Sequence, residues 1–420
     1  MSSRTRAFDL LISGGTVVTE SAAVVADVGI RDGRVKAVGS FERASAENRI
    51  RAAGLLVLPG GIDVHVHMSL PFGGTVSSDD FASGSRAGAL GGTTTMIDFA
   101  SQAPGTSLSD AIRARKRKAD GQTHIDYALH LMVTDVADRW LDQLPDALAL
   151  GVPSFKAFTA YPNEGLMLSP PDLRRLMERA ARLGAQVDVH AEDGPTIEAT
   201  REAFLRAGKR SLTFHPKSRP AATEVSAIDQ IIATARRTGC PVHIHHLSTA
   251  DGLMHAAAAT DVSVSAETCP QYLLLDDRRY RTPSAALFAV SPPLRTRRDS
   301  EALWAGLRNE TVSMVATDHC PFTLSQKRVG DKAFTEIPNG MPGIETRVPA
   351  DVLGSRDEAG ILSSPFRSHR GRQPGTSLRD VPAEGGRQTR QRRGSCAVGS
   401  QGSGADRARE AAHELRLVAL

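Results

Sequence analysis

Cysteine is scarce in this 420-residue chain. There are four, Cys240, Cys269, Cys320 and Cys396, and none forms a C-x-x-C pair. Neither a disulfide-stapled scaffold nor a thiolate zinc knot is indicated, and a reducing cytoplasm is the expected compartment. No apolar run reaches the roughly 18 residues of a membrane-spanning helix. The N-terminal stretch MSSRTRAFDLLISGG lacks the apolar centre of a secretory signal, so none is expected there. An excess of one charge is also missing where it would matter. The formal net charge is +4, but residues 351–420 alone hold 12 Arg against 8 acidic residues. Residues 1–350 therefore balance, and a nucleic-acid partner, which needs a basic face on a folded domain, is not expected.

What is present suits one large domain and a smaller one. Hydrophobic residues make up 40% of the chain and charged residues 23%, enough for a sizeable core. Residues 7–54 hold short β-rich runs, DLLISGGTVV, VVADVGI and RVKAVG, with Asp32-Gly33 as a hairpin signal between the last two. From residue 55 short apolar strands alternate with helical stretches such as DLRRLMERAARLG and AIDQIIATARRTG. About eight strands with helical crossovers predict an α/β fold, a (β/α)8 TIM-type barrel. The expected division is residues 1–54 for a small β-domain and 55–348 for the barrel. From 349 to 420 an Arg/Gly/Ser-rich tail follows, without apolar periodicity until its end. The tail is expected to be largely disordered, with a short helix over ADRAREAAHELRLVAL.

Chemistry-bearing residues fall at the ends of the expected strands. His65 and His67 are two apart in IDVHVHM, so on a strand they share a face and can converge on one cation. Two hydrogen-bonded core histidines are the alternative, and the pair alone leaves both open. His190 ends QVDVH and His246 ends PVHIHH. Regular alternation would turn His243 and His245 to the opposite face from His246. Asp318 follows VSMVAT and suits a ligand, a base or a helix cap. Lys156 in SFKAF is costly inside an apolar strand unless its charge is removed or paired, or its head snorkels outward. Together these residues come from several strand ends, the arrangement by which such barrels build active sites.

HVHMSLPFGGTVSSDDFASG followed by GGTTTMIDF resembles the dihydropyrimidinase/D-hydantoinase branch of the metal-dependent amidohydrolases. KAFTAY, HAED, HHLST, SPPLR, ATDHCPF and IPNGMPGIE match the same branch in order, over roughly residues 7–348. The resemblance implies a barrel flanked by a small β-sandwich and two divalent metal ions, usually zinc. It also implies hydrolytic opening of cyclic ureides to N-carbamoyl amino acids. It assigns His65 and His67 to one metal, His190 and His246 to the other, and Asp318 to the first site as base and acid. Lys156 would be carboxylated by CO2 and bridge both ions, which also removes its positive charge. Tyr161 would stabilise the oxyanion, and backbone groups at Ser291 and Asn339 would hold the ring amide. Allantoinase- and dihydroorotase-like enzymes share the metal logic, but the LPFGGTVSSDDF block and Tyr161 disfavour them. An inactive, truncated product is the other alternative.

After Arg347 the family pattern stops. Glu358–Pro382 reads EAGILSSPFRSHRGRQPGTSLRDVP. Synonymous codons exist that, read one nucleotide later, give KRGFSLHRFVATAAANPARLFGMYP, which resembles the family's next segment. Ala383–Ser400 can likewise give RKGVVKPGSDADLVLWDP. A frameshift between about residues 348 and 358 is therefore expected. It would remove the C-terminal half of the sandwich and part of the surface through which family members form tetramers.

Overall fold

The computed structural model describes residues 7–19, 22–328, 333–354 and 417–419. Two bodies of strands follow one another. The first is a six-stranded sheet centred on β1 (Phe8–Val18). It also contains β2 (Ala23–Arg31), β3 (Arg34–Gly39), β4 (Ala46–Arg51) and β5 (Leu56–Leu58). β2 and β3 are antiparallel and turn at Asp32 and Gly33, with φ of 53° and 69°. Two left-handed residues in succession give the turn whose twist matches a hairpin. Ile12, Val17, Val28, Ala52 and Val57 form the small core.

The second body is a parallel barrel sheet. It begins with β6 (Gly61–Asp63), whose following loop carries a minor hairpin of β7 (Pro71–Phe72) and β8 (Thr75–Val76). β9 (Thr93–Ser101), β10 (Asp126–Met132), β11 (Ser154–Phe158) and β12 (Gln186–His190) come next. β13 (Val242–Ile244), β14 (Val264–Thr268) and β15 (Met314–Val315) complete it. The spatial order is β6 and then β9 to β15 in sequence. A parallel bridge from Val66 to His319 draws the two ends together. The Thr317 hydroxyl adds a hydrogen bond to Asp63 Oδ2 at 2.7 Å. The (β/α)8 expectation is met.

Local chemistry explains the crossovers. β11 is buried at every position, as befits a parallel strand covered on both faces. The helix Pro170–Arg182 starts with Ser169 as cap and proline in its first turn. The helix Ala221–Thr238 stops at Gly239, φ 69°, where a left-handed residue closes the last turn. Both press apolar faces (Leu173, Leu176, Ile228, Ile231) onto strand residues such as Val187, Val189 and Ile244. No helix of the described residues is long and apolar enough to cross a membrane.

The expected tail falls almost wholly outside the described residues. Its end differs from expectation. Leu417–Ala419 is not helical but a strand, β16, pairing in parallel with Leu56–Leu58 of the small sheet. These three residues pair along the open edge at β5, and the rest of the expected helix lies outside the described residues.

Candidate active site

His65 and His67 follow β6 and turn into the barrel mouth, only 1% and 8% exposed. Their Nε2 atoms lie 3.1 Å apart. Asp318, just past β15, sets its Oδ1 3.2 Å from His65 Nε2 and 3.0 Å from His67 Nε2. Ligand atoms at 2.0–2.1 Å from a tetrahedral ion stand roughly 3.3 Å from one another. The triangle therefore has the size of one face of a metal site.

A second pair stands beside it. His190 ends β12, and its Nδ1 lies 2.8 Å from His246 Nε2. The rings of His65 and His246 are 5.6 Å apart between centroids, so the two groups are neighbours. Lys156, 1% exposed, has its amine against His245 Nδ1. Its charge acts on His65, His190, His246 and Asp318 alike, which puts it among both groups.

Electrostatics fits the donor set. Burial lowers the pKa of His65, His190 and His246, keeping them neutral with a lone pair to give. Burial works to raise the Asp318 pKa, but His65 and His67 outweigh it, so the carboxyl titrates below its ordinary value. Burial pushes the Lys156 ammonium down to about 8.

Further carboxylates orient the imidazoles. Glu267 Oε1 meets His65 Nδ1 at 2.5 Å, which turns Nε2 toward His67 and Asp318. Glu192 Oε2 meets His190 Nε2 at 2.8 Å, which leaves Nδ1 for the second pair. Such partners fix the ring tautomer. Burial opposes ionisation of Glu192, yet Arg219 and His190 hold its pKa down to about 2.

Tyr161 borders the mouth, with the Arg219 guanidinium 5.1 Å from its ring centre. Burial raises the phenol pKa, so it remains a proton donor, and it is hydrogen-bonded with Ser291. Asn339 Nδ2 donates to Ser291 Oγ at 3.0 Å, so Tyr161, Ser291 and Asn339 form one wall. Among the described residues six non-glycine positions have positive φ, and three are Tyr161, His246 and Asp318, at 68°, 38° and 50°. Backbone strain of this kind collects at functional sites.

The structure thus brings all nine expected residues to one end of the barrel. It corrects one expectation. His245 is not turned away, since its ring lies 4.2 Å from that of His65. Regular alternation fails because β13 ends at Ile244 and His246 takes a positive φ, so both histidines reach the mouth. His65, His245 and Glu267 even form a second group of ligand type beside His65, His67 and Asp318. Sequence reasoning missed His245, Glu267, Glu192 and Arg219. The available signal was that HAED and AETC, already matched or near a strand end, each carry an acid where a strand meets the mouth.

This donor set on a barrel defines a metal-dependent hydrolase class, and comparison with known proteins agrees. The amidohydrolase family profile matches residues 56–343. A D-hydantoinase of Streptomyces coelicolor is 42% identical over 359 residues, 83% of this chain and 75% of the relative. One of Geobacillus stearothermophilus is 39% identical over 344 residues, 80% of this chain and 73% of the relative. The crystal structure of a dihydropyrimidinase from Brevibacillus agri superposes with a TM-score of 0.82 at 40% identity. It covers 85% of this chain and 78% of the other. The chain belongs to the amidohydrolase family, in its dihydropyrimidinase and hydantoinase branch.

Proposed function

We propose that the chain hydrolyses the ring C–N bond of cyclic ureides, 5,6-dihydropyrimidines or hydantoins, to N-carbamoyl amino acids. The observation that carries this is the triangle of His65 Nε2, His67 Nε2 and Asp318 Oδ1 at 3.0–3.2 Å, beside His190 and His246. These residues fit two divalent ions, with zinc favoured by the imidazole and carboxylate donors. Bound there, the ions would supply a water deprotonated near neutral pH and polarise the ring carbonyl.

The remaining work falls to the chain. Asp318 takes the proton of the attacking water and returns it to the departing ring nitrogen, which suits a carboxylate kept ionised by His65 and His67. The Tyr161 phenol, protonated and buried, donates to the oxygen where negative charge develops. Backbone groups at Ser291 and Asn339 hold the ring amide. Lys156 carries CO2 as a carbamate that joins the two groups. Carbamate formation needs the neutral amine, and a pKa near 8 provides a fraction of it at neutral pH. The carbamate replaces a positive charge with a negative one, whose burial the two cations would offset.

The same reading divides the chain into residues 1–54, 55–348 and a tail from 349 to 420. Cys240, Cys269 and Cys320, buried and unpaired, suit a reducing cytoplasm. The test is ring opening of dihydrouracil and hydantoin by the purified chain. A version with the shifted-frame tail is assayed alongside. Turnover by either version upholds the substrate class, and turnover by neither, with metal bound, contradicts it.

A further inference from the structure

Lys327 sits in the short helix Leu324–Arg328 and is 3% exposed. Its Nζ donates to three backbone carbonyls, Ala289 O at 2.8 Å, Pro338 O at 2.7 Å and Gly340 O at 2.8 Å. An ammonium has three donors, so all are used. No carboxylate pairs with it among the described residues. The ring of Phe322 stands 5.4 Å away. Burial depresses the ammonium to about 7, a measure of how unwelcoming the place is to charge.

The three carbonyls belong to two chain segments, Ala289–Ser291 and Pro338–Gly340, far apart in sequence. One runs to Ser291 and the other contains Asn339, the two residues given the ring amide above. Other bonds join the same segments. Gly340 N donates to Ala289 O at 3.0 Å and Asn339 Nδ2 to Ser291 Oγ at 3.0 Å. Gly340 has φ 151°, and a Cβ there would lie 2.3 Å from Cys320 O, so its backbone is fixed by contact. An apolar side chain of similar length would fill the space of Lys327 without a buried charge. Such a side chain could not bond the three carbonyls, whereas the amine fixes all three in place.

We infer that Lys327 is a positioning residue for the substrate. Its ammonium pins the Ala289–Ser291 and Pro338–Gly340 segments at the spacing a planar ring amide needs, without touching the ring. The inference rests on the cyclic-ureide reading, and the experiment separates the two. Ring opening of hydantoin is measured for the full, metal-loaded unmodified chain, Lys327→Met and Lys327→Gln, with metal content and thermal midpoint. Positioning predicts that Lys327→Met raises KM about tenfold or more, with kcat within about threefold and metal content unchanged. Lys327→Gln, with two donors, should fall between. A folded, metal-loaded Lys327→Met with unchanged KM overturns the inference alone. So does a loss of kcat that tracks loss of metal or of folded protein. If Lys327→Met does not fold, Lys327→Gln is judged by the same KM criterion. The variants are made in whichever version turns over, and no turnover by either version with metal bound overturns the inference together with the cyclic-ureide reading.

Discussion

The barrel mouth and the small sheet invert the usual rule of burial in opposite ways. At the mouth, polar groups are inside: His65, Lys156, Glu192 and Glu267 are all at or below 1% exposure. On the small sheet, apolar groups are outside: Val24, Val25, Val35 and Val38 of β2 and β3 are 47–76% exposed. Buried ionisable groups survive only when neighbours satisfy them, so their convergence marks a built site. Exposed valines on neighbouring strands mark a surface with too little cover. The difference teaches that the polar groups at the mouth satisfy one another, while β2 and β3 leave apolar side chains open.

The sharpest way to break that comparison is to remove the lysine. Lys156→Ala should lose metal and lower ring-opening activity by about 10³-fold or more, since both groups lose their link. Short carboxylic acids should restore part of the activity by filling the gap. Full activity without any added acid would refute the carbamate. Next, Tyr161→Phe should lower kcat by about 10²-fold or more with little change in metal content, because it removes one oxyanion donor. A variant with unchanged kcat would remove Tyr161 from the oxyanion role.

A pH series sharpens the same side. Only the neutral Lys156 amine attacks CO2, and the ammonium predominates below its pKa of about 8. The neutral fraction rises from about one-tenth at pH 7 to about nine-tenths at pH 9. After removal of metal and CO2, the initial rate of reactivation at equal dissolved CO2 should rise roughly tenfold over that range. A rate independent of pH would contradict the lowered pKa. The smallest effect belongs to the sheet. Val25→Lys should change unfolding free energy by no more than about 0.5 kcal/mol while reducing aggregation measured by light scattering. A large loss of stability would show that Val25 is covered after all.

Much of this was legible in the sequence for physical reasons. Strand ends announce themselves where apolar runs stop at His190 or Asp318, and Asp32-Gly33 names its own turn. Paired histidines two apart need only the strand period to share a face. Other contacts carry no local signal. Glu192 and Arg219 are 27 residues apart and meet only through the fold. Lys327 stands in a polar stretch, SQKRVG, that reads as solvated, and only tertiary structure buries it. His245 was misplaced because the strand period was carried past Ile244, where the strand ends. Of the helix expected near the C-terminus only Leu417–Ala419 is described, and it pairs with β5, which a single-segment reading does not see.

The two-metal reading applies to this chain with its present tail. Metal stoichiometry of the purified, folded 420-residue chain after loading with zinc and bicarbonate tests it most directly. The account predicts about two ions per chain, falling to one or none in Lys156→Ala. One ion or none in the folded unmodified chain would contradict it.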